Sequence, residues 1–183
     1  MMRAFWVAAI LCMCWAGPGM AAPELWQALR SGAAVALMRH AEAPGTGDPA
    51  GFRLDDCASQ RNLSAAGREQ AARLGARFRS NGIAAAEIRS SAWCRCRDTA
   101  TGLGLGPVQT DSALNSFFET PAAATESTAA LRRLIAALPA GKPAVLVSHQ
   151  VNITALTGIY PRSGEMVVLQ RDGLTVLGRL SGD

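Results

Sequence analysis

Ala34-Val35-Ala36-Leu37-Met38-Arg39-His40 runs five apolar residues without a break into an arginine and a histidine. A second stretch, Ala144-Val145-Leu146-Val147-Ser148-His149, has the same form. A strand with one face in water alternates apolar and polar residues. A continuous apolar run this short reads instead as a strand covered on both faces, as in the parallel sheet of an α/β domain. In such sheets the ligand site lies beyond the carboxyl ends of the strands. The chain has only two histidines, and each stands at that end of one of these runs.

Helical patterns separate the two runs. Residues 24–31 read as a short helix, and residues 41–62, rich in Gly, Pro, Asp and Asn, as a long loop of the kind that is often functional. Ser64 is placed to cap a helix. Gly67, Ala71, Leu74 and Phe78 share one face of it, and Asn81-Gly82 end it. Residues 85–89 read as a third strand, leading through Ser90-Ser91 into a helix from Trp93 to about Leu103. Leu131, Leu134, Ile135 and Leu138 mark a later helix, stopped by Pro139 and Gly141, and residues 152–157 a last short one. Residues 166–170 and 174–180 flank Asp172-Gly173, a hairpin signal. The expected fold is α/β: a three-layer sandwich, with a mostly parallel central sheet, helices on both faces and a C-terminal hairpin at one edge.

The first residues read differently. Arg3 precedes an apolar run from Ala4 to Ala16, followed by Gly17, Pro18, Gly19 and the small residues Ala21 and Ala22. This is the order of a secretory signal peptide, and the run is shorter than the roughly 18 residues of a membrane span. The expected division is a signal peptide over 1–21, cut after Ala21 or Ala22, and a single domain over 22–183. The location is then periplasmic or secreted, with no stable membrane anchor after cleavage and a monomer or weak dimer as the assembly. With Arg3 set aside, 17 basic residues face 14 acidic ones, and Lys142 is the only lysine. No Lys/Arg block forms the clustered face that nucleic-acid binding needs. Arginine forks suit a small phosphate or carboxylate ligand. Outside the leader stand Cys57, Cys94 and Cys96, which allow one disulfide from Cys57 to either of the others. Cys-x-Cys spacing with no histidine beside it is poor for zinc.

The helix carrying Arg95 and Arg97 brings arginine to the same sheet edge as Arg39 and the histidines, and two imidazoles with two guanidiniums make a positive pocket for a dianion. A neutral histidine offers a nucleophilic nitrogen near neutral pH and accepts a phosphoryl group covalently. Arginines match the remaining oxygens. Neither a metal nor another cofactor is required. A metal site of histidine with Asp55 or Asp56 would be opposed by the nearby arginines. The Cys-x5-Arg pattern of cysteine phosphatases is missing: Leu63 and Ala100 stand where it needs arginine after Cys57 and Cys94.

Leu37-Met38-Arg39-His40-Ala41-Glu42 resembles the RHG-type motif of the histidine phosphatase superfamily. Asn62-Leu63-Ser64-Ala65-Ala66-Gly67-Arg68-Glu69-Gln70-Ala71 is similar to its Leu-Ser/Thr-x-x-Gly-x-x-Gln-Ala helix start. Ser90-Ser91-Ala92-Trp93-Cys94-Arg95-Cys96-Arg97-Asp98-Thr99-Ala100 is similar to its Ser-Ser-x-x-x-Arg-x-x-x-Thr-Ala segment, and Val147-Ser148-His149-Gln150 to the segment with the second histidine. The resemblance implies a phosphoglycerate mutase-like fold and a metal-independent phosphatase. His40 would be the phosphorylated nucleophile, with Arg39, Arg95 and His149 on the phosphoryl oxygens and the Gln150 backbone N–H as a further donor. Register with Thr99-Ala100 selects Arg95 over Arg97, and Ser148 would cap or pack. Glu119 is the candidate general acid, with Asp55, Asp56 and Glu42 as alternatives; Thr46 would reach the phosphate and Arg61 the substrate. Ala43-Pro44-Gly45 departs from the Thr-x-x-Asn continuation of the mutase-like members, and their Glu-Arg-x-Tyr segment is missing, which argues against a mutase. The expected function is hydrolysis of a small-molecule, glycan or lipid phosphate ester. The alternatives are a phosphate-ligand binding protein with the same pocket and a metal-binding periplasmic protein.

Overall fold

The computed structural model describes residues 20–183. The signal-peptide reading falls almost wholly outside the described residues. Six strands form one sheet: β1 (Ala34–Arg39), β2 (Glu87–Ser90), β3 (Val108–Thr110), β4 (Ala144–Ser148), β5 (Met166–Gln170) and β6 (Val176–Leu180). Their order is β3-β2-β4-β1-β5-β6. The first four are mutually parallel, and β5 and β6 add an antiparallel edge. Five helices cover the sheet: α1 (Ala22–Arg30), α2 (Ala65–Ser80), α3 (Cys94–Leu103), α4 (Ala124–Ala137) and α5 (Gln150–Thr157).

Both apolar runs are central strands. Alternate residues go to opposite faces of a strand. Ala36, Met38, Val145 and Val147 therefore pack with Leu25, Leu74, Phe78 and Leu103 of α1–α3. Val35, Leu37 and Leu146 pack with Leu131, Ile135 and Ile153 of α4 and α5. This is the expected sandwich.

The differences are local. A cut after Ala21 would fall where α1 begins, since Ala21 is its N-cap. β3 has no counterpart in the sequence reading: Val108-Gln109-Thr110 is short and has no buried residue, so it carries no apolar run. The terminal hairpin is joined by residues 171–175, a longer connection than a tight turn on Asp172-Gly173. Gly173 and Leu174 both have positive φ, 76° and 56°, and β6 begins at Val176 instead of residue 174.

α2 explains two of its glycines. A Cβ on Gly67 would stand 2.1 Å from the Glu42 carbonyl oxygen, and one on Gly75 would stand 1.9 Å from that of Leu103. α2 thus lies directly against the segment that follows His40 and against the end of α3. Ser64 caps it as expected, accepting from the Gly67 N–H at 2.9 Å.

Candidate active site

β1 and β4 pair in parallel with Arg39 opposite Ser148. The next residue on each chain is a histidine, so the register alone brings His40 and His149 to one place. The His40 amide extends the pairing by donating to the Ser148 carbonyl at 3.0 Å. The two imidazole centroids are 5.6 Å apart. Both rings are buried, 2% and 4% exposed.

Hydrogen bonding fixes the tautomers. His40 Nδ1 lies 2.7 Å from the Ala41 carbonyl oxygen, which can only accept. The proton is therefore on Nδ1, and the lone pair is on Nε2. His149 is the reverse. Its Nδ1 accepts from Arg95 Nη2 at 3.5 Å, and its Nε2–H donates to Ser91 Oγ at 2.8 Å. Ser91 in turn donates to Asn115 Oδ1 at 3.3 Å. Burial, reinforced by the neighbouring arginines, lowers the His40 pKa from 6.5 to about 3. Burial, then the charge of His40 and the arginines, also pushes His149 well below its ordinary value. Both rings are neutral at pH 7 in this state.

Arg39 and Arg95 line the same cavity of about 310 Å³ as the two histidines. Arg39 comes from the end of β1 and donates through Nη1 to the Pro161 carbonyl at 2.9 Å. Arg95 comes from the first turn of α3 and is forked on Asp48. Nη1 and Nη2 reach the two carboxylate oxygens at 2.7 and 3.1 Å, with the side chains 4% and 6% exposed. Asp48 also accepts from the Arg61 amide and the Trp93 indole, both at 3.0 Å. Its burial favours the neutral acid, yet Arg95 and these two donors hold its carboxyl below the ordinary value. The Nε–H groups of Arg39 and Arg95 are buried without a protein acceptor.

Thr46, Glu119, Gln150 and Arg61 line the cavity too. Glu119 is exposed at its mouth. Gln150 is the first residue of α5, where helix N–H groups have no acceptor within the helix. Arg61 is largely committed to the loop itself: Nε donates to the Gly47 carbonyl and Nη1 to that of Ala43. The three alternative acids lie elsewhere. Asp55 pairs with Arg53 at 3.0 Å on the surface, Asp56 caps the 3-10 turn Cys57–Ser59, and Glu42 is exposed outside the cavity. Arg97 is exposed and lines no part of the cavity, and Ser148 is fully buried and donates to the Leu114 carbonyl. Cys57 bonds Cys94, while Cys96 stays free, its thiol 3.5 Å from His149 Nε2 and pushed up to about 12 by burial.

Sequence reasoning missed Asp48, Ser91, Asn115 and Trp93 as parts of this site. Asp48 sits in a loop without periodicity. The only available signal was its place in a long Gly/Pro-rich segment directly after His40.

No curated protein matches the chain significantly. Among solved structures, the protein histidine phosphatase SixA complexed with tungstate matches with a TM-score of 0.56 at 18% identity, over 81% of this chain and 97% of that one. A SixA-type protein of Agrobacterium tumefaciens matches with a TM-score of 0.55 at 22% identity, over 82% and 98%. The mycobacterial glucosyl-3-phosphoglycerate phosphatase with inorganic phosphate also matches with 0.55, at 19% identity, over 74% and 88%. At these identities the likeness is one of fold. Residues 35–118 match the family model of the histidine phosphatase superfamily (branch 1). That match spans a little under half of the chain and includes β1 with His40 and the first turn of α3 with Arg95, and the sheet is phosphoglycerate mutase-like, so the chain is similar to the histidine phosphatase superfamily in both motif and fold.

Proposed function

We propose that the protein is an exported phosphomonoesterase working through a phosphohistidine on His40. The observation that carries this reading is the pair of buried, neutral imidazoles beside two arginines, with a lone pair on His40 Nε2. That nitrogen attacks phosphorus, the P–N bond forms as the P–O ester bond breaks, and the alcohol departs with a proton from Glu119. Water then attacks phosphorus and gives its proton to the Glu119 carboxylate, the P–N bond breaks, and inorganic phosphate leaves with neutral His40 and protonated Glu119 restored. Arg39, His149, the Gln150 amide and Thr46 surround the phosphoryl oxygens, and the uncommitted Nε–H groups of Arg39 and Arg95 add positive charge where negative charge develops. The mature domain spans 22–183. Export rests on the leader-like first residues and on the Cys57–Cys94 disulfide, a bond that persists in oxidising compartments.

The test is hydrolysis of an aryl phosphate by the mature wild type and His40→Ala with a metal chelator present. Chelator-resistant turnover in the wild type and none in the variant is expected, and equal activity in the two would remove His40 as nucleophile. One observation favours a second reading, a phosphate-ligand binding protein: Asp48 already occupies the fork of Arg95. Tight phosphate binding without turnover by the wild type would decide for it. N-terminal sequencing of the secreted product, with a start at Ala22 or Pro23, tests the leader.

A further inference from the structure

The chain is poor in aromatic residues, at 5%. Seven lie among the described residues, and four of them, Phe52, Trp93, Phe118 and Tyr160, line the one cavity that holds His40. Of the other three, Trp26 and Phe78 meet edge to face in the core and Phe117 is buried. Phe118 and Tyr160 are 50% and 67% exposed, the two most exposed large apolar side chains among the described residues. Phe52 and Trp93 stand together with ring centroids 5.9 Å apart. Exposed aromatic rings gathered around a cavity mouth mark a surface that meets a ligand.

The charges of the cavity point the same way. Every cation in its wall has a task within the phosphoryl site or the loop. Arg95 is neutralised by Asp48, and Arg61 is held by two backbone carbonyls. Arg39 stands beside His40 and is tied to Pro161. Among the described residues that line the cavity, Glu119 is the one exposed charged side chain, and it is an acid. A second anionic group at that exposed rim would face this carboxylate, with the arginines of the lining more deeply set and Arg61 tied to the loop.

On the phosphomonoesterase reading above, we infer that the site selects monoesters whose alcohol carries one uncharged ring-like apolar face. Phe118 and Tyr160 form the specificity-determining wall, and leaving groups bearing a carboxylate or a further phosphate are rejected. A cavity of about 310 Å³ lies at the small end of ligand sites and suits one ring beside the phosphoryl group.

The test separates this inference from catalysis by using phosphonates, which bind without turning over. Calorimetric affinities are measured for methylphosphonate, benzylphosphonate and 2-carboxyethylphosphonate on the mature wild type, Phe118→Ala and Tyr160→Ala. Benzylphosphonate is expected to bind about tenfold tighter than methylphosphonate, a step of the size that one or two aromatic contacts give, and 2-carboxyethylphosphonate no tighter than methylphosphonate. Each alanine variant is expected to cut the benzyl-to-methyl ratio about threefold. Equal affinities for the benzyl and methyl compounds, a preference for the carboxylate, or ratios unchanged in both variants would overturn the inference. These outcomes stand whether or not esters are hydrolysed, so failure of the phosphatase reading shows separately, in the aryl phosphate assay.

Discussion

Asp48 accepts hydrogen bonds from both terminal nitrogens of Arg95, at 2.7 and 3.1 Å, inside the cavity that holds His40 and His149. Two parallel bonds fix the plane of the guanidinium. The loop after β1 therefore sets the orientation of an arginine from α3. It also offsets one of three positive charges crowded around the histidines.

Removing that carboxylate leaves a buried cation beside Arg39 and Arg61. Asp48→Ala is expected to lose about 3 kcal/mol of stability, as when one partner of a buried pair is deleted. It should also lower kcat/KM at least about tenfold on an aryl phosphate. Asp48→Asn keeps one acceptor oxygen, for the Arg61 amide or the Trp93 indole but not both, since these donate to different carboxylate oxygens, and should lose less stability than Asp48→Ala. Denaturant titration with steady-state kinetics checks both, and a variant as stable and active as the wild type would show the fork to be dispensable.

Stability should fall in mild acid. His40 and His149 are held neutral by burial, His40 with a pKa of about 3, whereas unfolded histidine titrates near 6.5. Between those values the unfolded chain binds more protons than the folded one, so stability is complete above about pH 6.5 and declines as pH drops toward the folded value. Thermal unfolding at a series of pH values reads this directly. The decline should be shallower in His40→Asn and His149→Asn, and a flat profile from pH 7 to pH 4 would contradict it.

The disulfide joins residues 37 apart. Loop-closure entropy for that length corresponds to about 4 kcal/mol. Cys57→Ser with Cys94→Ser should lose stability on that order in denaturant titration. Activity should fall too, because the bond ties the Asp48-bearing loop to the first turn of the Arg95 helix. Cys96, buried and protonated, should stay unreactive toward a thiol reagent until the chain unfolds.

Gly67→Ala would ordinarily favour a helix. Here the added Cβ meets the Glu42 carbonyl at 2.1 Å, so backbone must move. A net loss of about 2 kcal/mol is expected, within the range for overpacking, with reduced kcat because the displaced segment begins two residues after His40. A Tm equal to or above the wild type would show that α2 can shift freely.

The histidines were legible in the sequence because a continuous apolar run announces a central strand, and the residue just past it falls where the site must be. Arg39 followed from adjacency. Arg95 needed the family's segment as well, since nothing in Cys94-Arg95-Cys96-Arg97 alone says which arginine turns inward. On a helix, residues two apart face nearly opposite ways. The same geometry sends Cys94 to the loop and Cys96 into the core, a choice that spacing left open. Asp48 was not legible, because its role comes from four donors brought to it from Arg61, Trp93 and Arg95, none of which local pattern connects to it. β3 was lost for want of a buried residue. The hairpin turn was misjudged because Leu174 takes a positive φ that its type does not advertise.

β1 is hydrogen-bonded along both of its edges, to β4 on one side and β5 on the other. Its amides should exchange with solvent deuterium only when the whole domain opens, whereas Phe52, Phe118 and Tyr160 sit on connecting segments that open locally at far lower cost. On the proposed reading, the nucleophile would hang from a strand paired on both sides and the leaving-group wall from connecting segments. Local opening of those segments would then leave the position of His40, fixed by the sheet, unchanged.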